Sequence, residues 1–141
     1  MAAVLPDKNV IQYIPQRPPI VMISTLVSAE KNVTETELEI PAHGLFVKDG
    51  VLHEPGLIEN VAQTAAAGVG YACTLTSQPV PVGFIGAVKN LEIDYLPKVG
   101  DVLETRVEVL EEIFDMTLIK GESFVKGKRV LTCEMKIVLK K

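Results

Sequence analysis

At 141 residues and 48% hydrophobic content, the chain suits a single domain spanning residues 1–141 and can bury a core. A net charge of −4, a pI of about 5.2, no tryptophan and 5% aromatics argue against a basic nucleic-acid footprint or base-stacking platforms. Cys73 and Cys133 stand in no metal-ligand spacing and read as buried free thiols in a reducing compartment.

Asp7 and Lys8 interrupt the short apolar stretch at the start, so no secretory signal is expected and the expected location is cytoplasmic. Residues 9–14 read as one or two helical turns. Pro15, Pro18 and Pro19 then impose an extended connector around Arg17. Ile20-Val21-Met22-Ile23 reads as the start of a buried strand running to about Ser28, followed by a polar turn over residues 29–32. From Val33 to Ile40 the β-branched, alternating pattern predicts a second strand. Residues 41–50 form a loop that carries His43.

The next segment is the most informative. Pro55 suits a first helical position, and Leu57, Ile58, Val61, Ala62, Ala65, Ala66 and Val69 recur at helical spacing. Small residues on every side predict a helix buried nearly all round, ending between Tyr71 and Thr76. No residue from Asn60 to Val88 is charged, but Gln63, Thr64, Thr74, Gln78, Pro79 and Pro81 mark a buried helix and a loop rather than a membrane span. Strands are predicted over 82–91, 102–110, 114–125 and 129–139. Their turns are signalled by Pro97 to Asp101, by Glu111-Glu112 and by Lys126-Gly127-Lys128. Lys126 to Arg129 is also the nearest thing to a basic cluster, and reads as a solvated hairpin turn. Strands joined by short turns pair antiparallel, and one buried helix against such a sheet is an α+β layout.

A family resemblance follows from four stretches in order. Ile14-Pro15-Gln16-Arg17-Pro18-Pro19-Ile20, Pro55-Gly56-Leu57-Ile58-Glu59-Asn60-Val61-Ala62-Gln63, Gly83-Phe84-Ile85-Gly86 and Pro97-Lys98-Val99-Gly100-Asp101 together resemble the 3-hydroxyacyl-acyl-carrier-protein dehydratases of the hotdog fold. The resemblance implies a curved antiparallel sheet wrapped around one long helix, and a carboxylate and a histidine contributed by two subunits. The dehydratases carry that histidine in a His-Phe-Pro-Gly loop, which this chain lacks; the nearest histidine is His53, six residues before Glu59. In this the chain is similar to a divergent branch of the group associated with aryl-polyene and related lipid pathways.

Glu59 stands in an uncharged, tightly packed helix, where desolvation is costly and raises a carboxyl pKa while the helix N-terminus lowers it. The expected role is a general acid or base; the alternative is a locally paired or capping Glu. Gln63 lies one turn on, on the same face, placed to orient Glu59 and bind substrate, or else is a satisfied buried amide. Asn60 points to a different side. Gly56 and Leu57 offer free N–H groups at the helix start for a thioester oxygen, or merely form a tight helix start. His53 is the candidate base, or an exposed loop residue, and His43 is expected at the surface.

Three functions follow. The first is dehydration of 3-hydroxyacyl thioesters to trans-2-enoyl thioesters, in fatty-acid or polyene lipid synthesis. The second is a non-catalytic acyl-thioester-binding subunit of a dehydratase pair. The third is an acyl thioesterase. Neither metal nor organic cofactor is expected. The partners implied are an acyl thioester on acyl carrier protein or CoA and a second subunit, as a homodimer, a heterodimer or a higher oligomer, because one small sheet does not cover such a helix. Arg17, Lys89, Lys98 and Arg129 are candidates for docking an acidic carrier. No nucleic acid and no membrane insertion are expected.

Overall fold

The structure, a computed structural model, describes residues 4–140. Its strands are β1 (Thr25–Glu30), β2 (Val33–Glu39), β3 (Val47–Lys48), β4 (Val51–Leu52), β5 (Val82–Ile93), β6 (Val102–Ile113), β7 (Met116–Val125) and β8 (Lys128–Lys140). The helix α1 spans Glu54–Leu75. Six strands form one antiparallel sheet in the order β1-β2-β6-β7-β8-β5, and β3 with β4 makes a small separate hairpin. This is the α+β hotdog arrangement expected from the sequence.

Alternation explains why the helix sits where it does. Along β6, Leu103, Thr105 and Val107 are buried while Val102, Glu104 and Arg106 are exposed. The register sets Val107 opposite Gly121, and Gly121 opposite Cys133, making one row across three strands. A Cβ at Gly121 would press into Val61 of α1, so the missing side chain lets the helix settle onto the sheet. Leu57, Val61, Leu103, Ile119, Leu131 and Met135 close this core. Each such side chain contributes about 1.5–3 kcal/mol by leaving water. A smaller core forms where the 3-10 turn Val10–Gln12 brings Tyr13 against the far end of α1. The Tyr13 hydroxyl donates to Asp7 at 2.7 Å, and this bond holds the Asp7 carboxyl below its usual range.

Three expectations need correction. Residues 20–23 are not strand, although they are apolar. Their backbone is bonded to side chains of α1 instead of a neighbouring strand, so β1 begins only at Thr25. The turn expected at Glu111-Glu112 lies further on, because a bulge between Val109 and Glu111 carries β6 on to Ile113. Phe114, at a φ of 56°, then makes the turn. Finally, α1 is not buried all round. Gly56, Leu57, Asn60, Val61, Gln63, Thr64, Ala67 and Gly70 are buried, while Val69, Ala72 and Leu75 form an exposed apolar flank.

Candidate functional site

Glu59 lies one turn into α1, half-buried, on the wall of a cavity of about 640 Å³. Ala62, Ala65, Val69 and Ala72 continue that wall along the helix, and Ile85, Ile119 and Ile137 face them from the sheet. Small side chains on one side and the inward alternation of three strands on the other make the space apolar. Burial pushes the Glu59 carboxyl above its usual range, and one hydrogen bond opposes the shift: Gln63 Nε2 donates to Glu59 Oε2 at 2.9 Å.

Gln63 is fully buried and every polar atom of its amide is engaged. Its Oε1 accepts the Met22 N–H at 2.6 Å, while Nε2 donates to the Ile20 carbonyl at 2.8 Å and to Glu59. A backbone N–H can only donate and a carbonyl can only accept, so the amide has one possible orientation. Both of its donors are engaged within the chain, one on the Ile20 carbonyl and one on Glu59.

The Gly56 and Leu57 amides, expected to be free, are engaged within the helix start. The helix starts at Glu54, with His53 as its N-cap, so the Gly56 and Leu57 N–H groups donate back to the His53 carbonyl at 3.0 and 3.3 Å. Both residues are buried, with Gly56 pressed against Phe46 and Leu52, and neither lines the cavity. His53 does not line it either. Its Nε2 lies 3.1 Å from the Lys48 carbonyl oxygen and its Nδ1 lies 3.7 Å from the Glu54 carboxylate. The carbonyl requires the proton on Nε2, which leaves Nδ1 as the basic nitrogen of neutral His53. His43 is exposed in its loop.

Asn60 is the residue that sequence reasoning undervalued. It is fully buried; Nδ2 donates to the Met22 carbonyl at 2.7 Å and Oδ1 accepts the Thr105 hydroxyl at 2.6 Å. Thr64 donates to the Asn60 carbonyl at 2.8 Å, and Thr36 pairs with Thr64 at 2.7 Å. The signal was present as a run of polar residues, Glu59, Asn60, Gln63 and Thr64, in an otherwise apolar helix.

Among the candidate docking cations, Arg129 is engaged with Asp94 at 2.8 Å and Glu92 at 3.4 Å. One Arg17 guanidinium nitrogen donates to the Ile14 and Gln16 carbonyls. Lys89 and Lys98 are exposed. Among the described residues, no cluster of three or more His, Cys, Asp or Glu side chains is placed to hold a metal ion. No helix among them is long and apolar enough to cross a membrane.

Comparison with known proteins agrees with this fold. The family model described as ApeP-like, ApeP dehydratase, matches residues 8–140. A 3-hydroxyacyl-[acyl-carrier-protein] dehydratase FabZ of Latilactobacillus sakei subsp. sakei is 29% identical over 143 residues, covering 94% of this chain and 98% of the relative. The FabZ of Pediococcus pentosaceus is 26% identical over 149 residues, covering 97% and 94%. In fold, the chain is similar to a solved structure of the dehydratase heterocomplex ApeI:P from Xenorhabdus doucetiae, with a TM-score of 0.84 at 17% identity over 99% of this chain and 93% of that one.

Proposed function

The chain belongs to the ApeP-like dehydratase family, and on that premise we propose that it converts 3-hydroxyacyl thioesters to trans-2-enoyl thioesters, with Glu59 as the acid. The observation that carries this reading is a carboxyl on the wall of an apolar cavity, with its pKa raised by burial and held by one donor. A protonated carboxyl there can give its proton to the leaving 3-hydroxyl, which departs as water. The base takes the proton from the α-carbon, and the electron pair released becomes the new double bond. That base is His53 through Nδ1. Within one chain His53 stands outside the cavity, so the role falls to His53 of the partner subunit.

The open edge of β5, where Val82, Phe84 and Ile85 are exposed, suits pairing with a second copy or with a related dehydratase subunit. The acyl group arrives on acyl carrier protein or CoA, with Arg17, Lys89 and Lys98 available to an acidic carrier. The pathway is fatty-acid or polyene lipid synthesis in the cytoplasm, and no cofactor takes part. The test is enoyl absorbance with purified protein and 3-hydroxyacyl thioesters of several chain lengths. Turnover that Glu59→Gln lowers by about 10²–10⁴-fold is expected. Absence of turnover in both directions sinks the proposal.

The position of His53 favours a second reading, a binding subunit that shapes the acyl cavity of an active partner. On that reading the protein is inert alone, and Glu59→Gln leaves the activity of the pair unchanged. Thioesterase action, the remaining alternative, would release free thiol in the same assay.

A further inference from the structure

The hydrogen bonds beneath α1 share one direction. The Thr105 hydroxyl donates to Asn60, Asn60 donates to the Met22 carbonyl, the Met22 N–H donates to Gln63, and Gln63 donates to Glu59 Oε2. All four lengths fall between 2.6 and 2.9 Å, and Thr105, Asn60 and Gln63 are each at most 2% exposed. Thr105 sits on β6 directly opposite Thr36 of β2, so the series is anchored in the rigid centre of the sheet. Thr64 spends its proton on the Asn60 carbonyl, so Thr36 must donate to Thr64, and this branch is also fixed in direction.

We propose that Asn60 and Thr105 are positioning residues for Glu59: by clamping the Met22 carbonyl they hold the connector so that Gln63 donates to Oε2, which favours the carboxyl proton on Oε1. The two side-chain amides grip the same residue, Met22, by its carbonyl and by its N–H. Residues 21–23 lie outside the strands, between the Ile20 N–H on the Arg17 carbonyl and the Ser24 N–H on the Glu37 carbonyl, and the two amides hold the backbone between these points. A shift of Met22 moves the acceptor of its N–H, the Gln63 amide, and with it the only described donor to Glu59. The carbonyl oxygen of a neutral carboxyl accepts more strongly than its hydroxyl oxygen, so the Gln63 N–H on Oε2 favours the proton on Oε1. Neutral Glu59 therefore carries its acidic hydrogen preferentially on the other oxygen. The catalytic meaning rests on the dehydratase reading, whereas the positioning itself does not.

The test separates the two. Carboxyl-carbon NMR of protein carrying labelled glutamate, with the Glu59 signal assigned by its loss in Glu59→Gln, follows Glu59 without substrate. Thr105→Val keeps the shape of the side chain and removes the hydroxyl, and Thr105→Ser restores it. In folded Thr105→Val the Glu59 midpoint is expected to move upward by roughly half a pH unit or more, since a donor to the charged form is loosened. Thr105→Ser should titrate as the parent. The acid-dependent limb of any measured dehydration rate should move with it, with kcat down roughly tenfold and KM unchanged.

A folded Thr105→Val whose Glu59 midpoint and pH profile match the parent overturns the proposal. Should that variant fail to fold, the unmodified protein decides. The Asn60 and Gln63 side-chain amide signals should both titrate with the Glu59 midpoint, and an Asn60 signal indifferent to it overturns the proposal. A midpoint that moves in a protein without turnover sustains the positioning and refutes the dehydratase reading alone.

Discussion

The two halves of α1 differ in what is added to close packing. From Glu54 to Thr64 directional bonds add to the apolar contacts of Leu57 and Val61: Asn60, Gln63 and Thr64 satisfy backbone and hydroxyl groups of the connector and the sheet. From Ala65 to Leu75 it is bound by contact. Gly68 meets Thr34 and Gly70 meets the Tyr13 carbonyl so closely that a Cβ at either would overlap its neighbour. The opposite side of this second half is the exposed apolar flank of Val69, Ala72 and Leu75. Directional bonding fixes one geometry at Glu59. Close contact on one side only leaves the other side open as a cavity wall.

Substitutions break this comparison to different degrees. The largest effect is expected at Gly70. Gly70→Val must displace the Tyr13 backbone and should cost about 3 kcal/mol or more, read as a lower denaturant midpoint with the slope unchanged. In the bonded half, Asn60→Leu fits the space but strands the buried Met22 carbonyl and Thr105 hydroxyl, and a loss of about 2–4 kcal/mol is expected from the same measurement. If Asn60→Leu proves neutral, the contrast between the halves fails.

Glu59→Gln should behave differently from both. The folded pKa of Glu59 lies above its unfolded value, so the folded state binds the proton more tightly. Stability from this group is therefore full below the usual carboxylate range and is lost as the pH rises through the raised folded value. Glu59→Gln should remove that decline, so the variant gains on the parent in neutral solution but not in acid. Thermal melts at the two pH values check it, and a parallel pH dependence in both proteins contradicts it.

The smallest effect on stability is expected at Val69 in the open flank. Val69→Ser should change the stability of the single chain by no more than about 0.5 kcal/mol. If a second subunit covers the flank, the same change should raise the dissociation constant measured by sedimentation. A large loss of stability without any change in association would place Val69 in the core of the chain itself.

Strand alternation, the helical spacing from Leu57 to Val69 and the Pro55-Gly56 helix start are local properties of the chain, so the sheet, the helix and the place of Glu59 are legible in the order of residues alone. The sequence also marks Glu59 and Gln63 as one turn apart, and they do meet. It does not show that residues 20–23 bond to side chains rather than to a strand, since an apolar run looks the same in both settings. It does not show that the Gly56 and Leu57 amides are occupied, because that depends on a helix starting at Glu54 with its cap at His53. Nor does it show that His53 points away from the cavity in its own chain or that Asn60 lies at the centre of the network. Those outcomes depend on where groups distant in sequence come to lie, such as Thr105 beneath Asn60 and Met22 between two amides. Hydrogen bonds are short and directional, so packing at this scale decides which donor finds which acceptor.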